Sequence, residues 1–517
     1  MKYIPTIGLE IHAELKTKSK MFCSCANDSL ETNPNVNICP VCMGHPGTLP
    51  VANEDAIKKV IKVGLALNCK IPEKSKFDRK NYFYPDLPKG YQISQYDMPL
   101  CKEGYLEVAG RSDSDESSDS KSKKIRVTRV HLEEDTGSLI HDWKTKGPAL
   151  AMGADPSYQE KAQALNQKME VSTLVNFNRA GVPLMELVTE PDITNAKEAS
   201  EFAKQFQTIL RYLGASDADM EKGQMRVDAN VSIRIEGAKT LGTKVEVKNL
   251  NSFRAVEGAI AFETKRQEKV LGSGEKVVQE TRGWDENRGE TFSQREKEEA
   301  HDYRYFPEPD LPPLHFTQNF IQEIKAELPE LPQQRAKRFE KEYKLTDQEI
   351  EILVQNKDLG EYFEEVVKQF GGPPSKVSRL IRLASNYIIN DLMGLSEGAS
   401  LHEGNLRITP EDFAALMYSI NEGKTSSAIA KQVLKEMFAT GKDPSQIIDD
   451  RGLSQITNQG EIETIAKEII AKNPKAAEDF KKGKENSLQF LVGQMMAQTK
   501  GTVSPDLANQ ILRNLLR

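Results

Sequence analysis

The hydrophobic period of this chain changes at the proline-rich stretch Phe306 to Pro313, and that change limits the folds open to it. Before the stretch, several segments carry apolar residues at every second position and others carry them at helical spacing. After it, helical spacing continues almost without interruption. Period two sets alternate side chains on one face of a sheet, whereas a period near 3.6 sets them on one face of a helix. The expectation is an α+β chain with a mixed first domain over 1–303, an all-α domain over 304–405 and a small all-α tail over 406–517. A length of 517 residues agrees with several domains, being too long for one ordinary core.

Within the first region, Ala56, Ile57, Val60, Ile61, Gly64 and Leu65 fall at helical spacing after Asn53, a residue suited to cap a helix; a second helix is expected from Ala196 to Leu213. In the helical region, breaks are expected at Pro329, Pro332, Gly371 to Pro374 and Gly394. Thr409-Pro410-Glu411 reads as a helix start, with a capping hydroxyl and proline at the first position. Two polar stretches, Arg111 to Lys124 and Gly147 to Glu170, read as surface insertions.

Three strand-like segments place polar groups on one face. Ile7, Leu9, Ile11 and Ala13 alternate with Gly8, Glu10, His12 and Glu14, so Glu10 and His12 share a face and can hold a cation, or form an ordinary polar surface. Met225, Val227, Ala229, Val231 and Ile233 alternate with Arg226, Asp228, Asn230, Ser232 and Arg234, with Glu221 upstream in a turn beside Gly223. Lys244, Glu246 and Lys248 repeat the arrangement. The run His131-Leu132-Glu133-Glu134-Asp135 ends another strand pattern; adjacent carboxylates repel unless water or a cation relieves them, and the run also reads as an acidic loop.

Four of the six cysteines stand at Cys23, Cys25, Cys39 and Cys42. Two closely spaced pairs can close a tetrahedral zinc site, and the alternative is four reduced thiols. Lys376, Arg379 and Arg382, three residues apart, form either a phosphate-facing stripe or a solvated face. No apolar run approaches the roughly 18 residues of a membrane span, and the opening residues lack the apolar core of a signal peptide, so the cytoplasm is the expected compartment. A net charge of −7 excludes a bulk-electrostatic grip on nucleic acid. There is no G-x-x-x-x-G-K-[ST] loop; Gly272-Ser273-Gly274-Glu275-Lys276 reads as a turn. Carboxylates, a histidine and cations on one sheet face suit a metal with a polyanion, and spacing alone takes the reading to a metal-dependent enzyme.

Nine segments in order carry a resemblance: IGLEIHAELKTKSKMFCSC from Ile7, NICPVCMGHPGTLPVAN from Asn37, RKNYFYPDLPKGYQISQY from Arg79, VHLEEDTG from Val130, NRAGVPLMELVTEPD from Asn178, MEKGQMRVDANVSIR from Met220, KVEVKNLNSF from Lys244, ETRGWDE from Glu280 and DYRYFPEPDLPP from Asp302. They resemble the GatB family of aspartyl/glutamyl-tRNA amidotransferase subunits. The resemblance implies a cradle-like catalytic domain, a helical domain and a YqeY-like tail that reaches toward tRNA. It implies ATP- and Mg²⁺-dependent phosphorylation of the side-chain carboxylate of mischarged Glu-tRNA(Gln) or Asp-tRNA(Asn), then amidation with ammonia from a partner amidase (GatA), with a small subunit (GatC) completing a heterotrimer. Magnesium ligands would fall on Glu10, His12, Glu133 or Glu134, and Glu221; Arg226, Lys248, Arg282, Arg295 and Arg304 are candidates for phosphate or tRNA contacts. Zinc at the cysteines would be structural.

The rival reading is a zinc-stabilised tRNA-binding module without catalysis. A self-sufficient glutamine amidotransferase is disfavoured, because no Ser-Lys amidase stretch or nucleophilic cysteine setting is present.

Overall fold

In the computed structural model, residues 2–109, 122–141, 173–296, 303–396, 406–453, 458–499 and 502–516 are described. The expectation for the 147–170 insertion, and for 111–121 of the serine-rich one, lies outside them. Two compact units make up the chain, Met1–Leu331 and Pro332–Arg517.

In the first unit the strands are β1 (Tyr3–Glu14), β2 (Lys74–Ser75), β3 (Asp78–Asn81), β4 (Tyr91–Ser94), β5 (Cys101–Ala109), β6 (Ser122–Glu134), β7 (Ser138–His141) and β8 (Thr173–Asn176). They continue with β9 (Pro183–Thr189), β10 (Met225–Ile235), β11 (Val245–Leu250), β12 (Glu280–Asp285), β13 (Glu290–Glu296), β14 (Phe306–Pro307) and β15 (Leu314–His315). The helices are α1 (Glu54–Ala66), α2 (Ala196–Tyr212), α3 (Phe253–Gly272) and α4 (Gln318–Ala326).

Eight strands form one sheet in the order β13-β12-β11-β10-β1-β9-β6-β5. The pairs are antiparallel except β11 with β12, which α3 connects. The period-two segments expected to be strands are strands: β1 lies at the sheet's centre, with Ile7 opposite Val231 and Ile11 opposite Val227 on β10 and Leu187 on β9. Ile7, Leu9, Ile11 and Ala13 are almost fully buried in one core that also takes in the apolar sides of α1, α2 and α3. Each such aliphatic side chain contributes about 1.5–3 kcal/mol on burial. The polar residues of β1 and β10 are thereby held on the other face.

The expected helices form for the expected reasons. Asn53 caps α1 by accepting from the Asp55 and Ala56 amides, and Asn195 caps α2 by accepting from Glu198 N. Two glycines admit close packing against the cysteines outside the cluster. A Cβ at Gly64 would stand 2.3 Å from Cys101 Sγ, and one at Gly104 would stand 2.3 Å from Cys69 Sγ. Those thiols are packing atoms, and burial pushes the Cys69 thiol up to about 12.

A three-stranded sheet, β14-β3-β4, and the pair β15-β2 lie beside the large one. Through β14, β15 and α4, the chain after Tyr303 stays packed in the first unit, and the break between compact units follows Leu331 rather than residue 303.

The second unit's described secondary structure is helical throughout. Thr409 caps the helix Pro410–Asn421 as its sequence implies. The run from Ser378 to Leu395 contains a π-helical segment over Tyr387–Leu392. Lys376 lies in the turn before this run, so only Arg379 and Arg382 of the expected stripe share the helix, both exposed. Residues 462–516 bury a separate apolar cluster. Among the described residues no helix is long and apolar enough to cross a membrane.

Candidate active site

Strand register assembles a polar cluster on the face of the large sheet opposite the helices. His12 of β1 lies between Arg226 of β10 and Glu186 of β9, and Glu186 in turn lies opposite His131 of β6. Glu10 lies opposite Asp228. Four neighbouring strands thus bring together residues from four distant parts of the chain.

The contacts are close. His12 Nε2 is 3.3 Å from Glu186 Oε2 and 3.6 Å from Glu10 Oε1; His131 Nε2 is 3.7 Å from Glu186 Oε2 and 3.5 Å from Glu133 Oε1. Two overlapping sets, Glu10 with His12 and Glu186, and His131 with Glu133 and Glu186, each place their ligand atoms within 4.8 Å of one another. His12 Nδ1 and His131 Nδ1 are buried without a hydrogen-bond partner among the described residues. Three carboxylates with a shared centre suit a hard divalent cation, which prefers oxygen.

Charge sets the protonation of the cluster. Burial raises Glu10, and the Glu186 carboxylate raises it further. For Glu186, burial alone would raise the carboxyl, but the two imidazoles outweigh it and the group is lowered to about 2. Burial would likewise raise Glu133; Lys80 and His131 hold it well below the usual carboxylate range. His12 is raised because its hydrogen bond and charge interaction with Glu186, aided by Glu10, exceed the lowering by burial and Arg226.

The small sheet closes over one side. Ser94 Oγ donates to Glu133 Oε1 at 2.6 Å and Gln92 Nε2 to Glu133 Oε2 at 3.0 Å, while Lys80 Nζ stands 3.7 Å from Glu133 Oε1. On the other side, the β10–β11 register shifts between Val227 and Ala229, and Asn249 takes a φ of 58°. That bulge lets Asn249 N donate to Asp228 Oδ1 at 2.9 Å, and Lys248 Nζ reaches both Asp228 Oδ2 and Glu246 Oε1 at 3.2 Å.

The four cysteines also converge, with their sulfurs within 4.8 Å of one another. The Cys39 and Cys42 sulfurs are 3.9 Å apart, close to the roughly 3.8 Å edge of a tetrahedron with metal–sulfur bonds of about 2.3 Å. Cys39 N donates to Cys42 Sγ at 3.2 Å, and the fully buried Lys20 places its ammonium 3.9 Å from the same sulfur. The donor set and its spacing fit zinc.

Not every residue singled out from the sequence joins the cluster. Glu134 diverges from Glu133: it accepts from Lys89 and from Ile93 N, beside a cavity of about 250 Å³ lined also by Cys23 and Cys42. Glu221 is exposed in the turn before β10. Arg282 faces the opposite, helix-covered side, where it binds Glu280 and Thr291 and lies 3.6 Å from the fully buried Glu263 of α3. The parallel β11–β12 pairing sets Arg282 opposite Val247, a core residue, and so fixes its face. Arg295 lies in β13 opposite Thr281; its side chain is outside the described residues. Arg304 is exposed at a φ of 42°. Arg226 and Lys248 are at the cluster's edge.

Sequence reasoning missed Glu186, Lys80 and Gln92. A signal for Glu186 was present: it is the one charged residue of the β9 segment PLMELVT, which is otherwise buried or nearly so. Lys80 and Gln92 come from the small sheet, whose placement over β6 no local pattern announces.

Comparison with known proteins agrees with this geometry. A family profile described as the GatB/GatE catalytic domain matches residues 5–322, and one described as a GatB domain matches residues 361–516. The GatB-type subunit of the aspartyl/glutamyl-tRNA(Asn/Gln) amidotransferase from Carboxydothermus hydrogenoformans is 45% identical over 515 residues, covering 100% of this chain and 99% of that protein. Proteins of the same name from Thermotoga maritima, 46% identical with 100% and 99% covered, and from Persephonella marina, 45% identical with both chains fully covered, are equally similar. The chain therefore belongs to the GatB/GatE family, matching its catalytic domain through the unit that holds the two-histidine, three-glutamate cluster.

Proposed function

We propose that this chain is the subunit of a tRNA-dependent amidotransferase that uses ATP and Mg²⁺ to activate the side-chain carboxylate of glutamate on tRNA(Gln) or aspartate on tRNA(Asn). The observation that carries this reading is the convergence of Glu10, Glu133 and Glu186 with His12 and His131, edged by Lys80, Arg226 and Lys248.

A carboxylate resists attack by ammonia because oxide would have to leave. Transfer of a phosphoryl group from ATP supplies phosphate as the leaving group, and ammonia then displaces it. Phosphoryl transfer depends on positioning and on neutralising charge more than on a protein nucleophile. Bound Mg²⁺ would neutralise phosphate charge and orient the transferring oxygens. Glu10, Glu186 and Glu133 are the residues that would hold it, with His12 and His131 as nitrogen donors. Arg226 and Lys248 would meet phosphate oxygens, and Arg295 and Arg304 would contact phosphate or tRNA.

The cysteine cluster is assigned to structural zinc. Ammonia comes from a partner amidase subunit, with a small third subunit, in a cytoplasmic heterotrimer, and the helical region with its tail contributes to tRNA binding. Hydrolysis of γ-labelled ATP by the assembled complex, with and without each mischarged tRNA, tests this. Turnover that requires the charged tRNA and yields the amide when glutamine is supplied is the expected result. tRNA binding without ATP consumption would replace it with the non-catalytic binding module.

A further inference from the structure

An unbroken series of five tyrosines borders the polar cluster. Tyr84 meets Tyr82 edge-on with centroids 6.1 Å apart, Tyr82 meets Tyr303 at 6.0 Å, Tyr303 meets Tyr305 at 5.9 Å, and Tyr305 stacks on Tyr96 at 4.2 Å with the rings only 10° from parallel. The middle of the series touches the cluster. Tyr82 Oη donates to Gln92 Oε1 at 3.1 Å while Gln92 Nε2 holds Glu133, and Lys80 Nζ sits 5.2 Å from the Tyr303 centroid on its way to Glu133. The ends open to solvent: Tyr84 is 58% and Tyr96 61% exposed, with Phe83 beside Tyr84 at 81%.

Exposed aromatics in this number are costly unless something covers them. The platform is also rigid, because Asn81 N donates to Tyr303 O at 2.9 Å and Asn81 Nδ2 donates to Arg304 O at 2.8 Å, pinning the Tyr303–Tyr305 segment to β3. Arg304 and Lys80 intersperse positive charge among the rings. Rigid rings interleaved with cations match a strand of unpaired nucleotides, whose bases stack and whose phosphates carry the opposite charge.

We infer that this tyrosine series is the stacking platform for the unpaired 3′ end of the aminoacyl-tRNA, with Tyr84 and Tyr96 each offering a ring to a base. The inference rests on the proposed function, in which the reacting carboxylate hangs from the 3′-terminal ribose and must enter the cluster that Tyr82 and Lys80 border. The adenine of ATP is the competing occupant. Two exposed ends on opposite sides of the cluster suit successive bases of a strand better than one isolated base.

The test uses the full heterotrimeric complex and a tRNA carrying 2-aminopurine in place of its terminal adenine, a base whose fluorescence falls when it stacks. The expected result is quenching by the wild-type complex that is lost in Tyr84→Ala or Tyr96→Ala and kept in Tyr96→Phe. In amidation assays the alanine variants should raise KM for charged tRNA about tenfold, as loss of one stacked base implies, with KM for ATP unchanged. Quenching absent in the wild type, quenching and KM unmoved in both alanine variants, or a rise in KM for ATP instead, overturns the inference. A wild-type complex that quenches the probe but forms no amide overturns the proposed function and leaves the platform standing. One that forms amide while both alanine variants match it overturns the platform alone.

Discussion

Glu186 on β9 holds His12 on β1, with 3.3 Å between Oε2 and Nε2, and the same oxygen is 3.7 Å from His131 on the other side. A single carboxylate therefore sets the charge of two imidazoles that come from opposite neighbours of its strand.

We expect Glu186→Gln to keep the fold and depress kcat for ATP-dependent amidation by on the order of 10²-fold or more, since a neutral amide can neither hold a cation nor balance the histidines. Glu10→Gln should act in the same direction. Steady-state amidation checks both, and Mg²⁺ titration should move to higher concentration in each; full activity at the wild-type Mg²⁺ dependence in both variants would discard this metal site.

Glu14 gives a pH test independent of catalysis. It is 9% exposed, accepts from Ser29 Oγ at 2.6 Å, and is raised from 4.5 to about 7 by burial and then by Asp135. A carboxyl raised in the folded state contributes stability below its unfolded value, which is lost as pH rises through about 7. Glu14→Gln should thus stabilise the protein at pH 8 by on the order of 2–3 kcal/mol relative to its effect at pH 4. Chemical denaturation at the two pH values measures the difference, and an equal effect at both would show that Glu14 ionises freely.

Arg282 is expected to act through stability alone. With Arg266 it neutralises the fully buried Glu263. Arg282→Ala should destabilise by on the order of 2–3 kcal/mol, less than stranding the charge altogether because Arg266 remains. KM for ATP should not move in protein assayed well below its melting temperature, and a rise there would return Arg282 to the phosphate contacts.

For the cysteines, protein purified without chelator should carry about one zinc per chain, and Cys42→Ser should lose it and lower Tm by several degrees. Elemental analysis with thiol titration checks this; four freely reacting thiols in the untreated protein would remove zinc from the account.

How far the sequence led depends on what each residue's neighbours are. β1 and β10 were legible because each pairs a buried face with a polar one, and strict alternation records that. β9 is covered on both sides, so PLMELVT does not alternate and Glu186 lost its marker. Arg282 was legible as a strand residue, but its face depends on a parallel pairing made through α3, which local pattern cannot see. Glu133 and Glu134 were a recognisable pair whose division between the cluster and Lys89 depends on where β4 crosses the end of β6. The cysteine spacing needed no such distant information, and its four sulfurs converge as expected.

The central position of β1 also governs the order of events during synthesis. Its partners come far later in the chain: Leu9 bonds to Thr189 across 180 residues, and Ser232 bonds to Thr6 across 226. At about 5–20 residues per second, the ribosome takes roughly 10–45 s to supply the second partner. Through that interval Ile7, Leu9 and Ile11 form an apolar strand with both edges open, a ready template for pairing with another nascent chain. The strand that ends at the middle of the finished sheet is thus the segment most in need of a chaperone before the sheet exists.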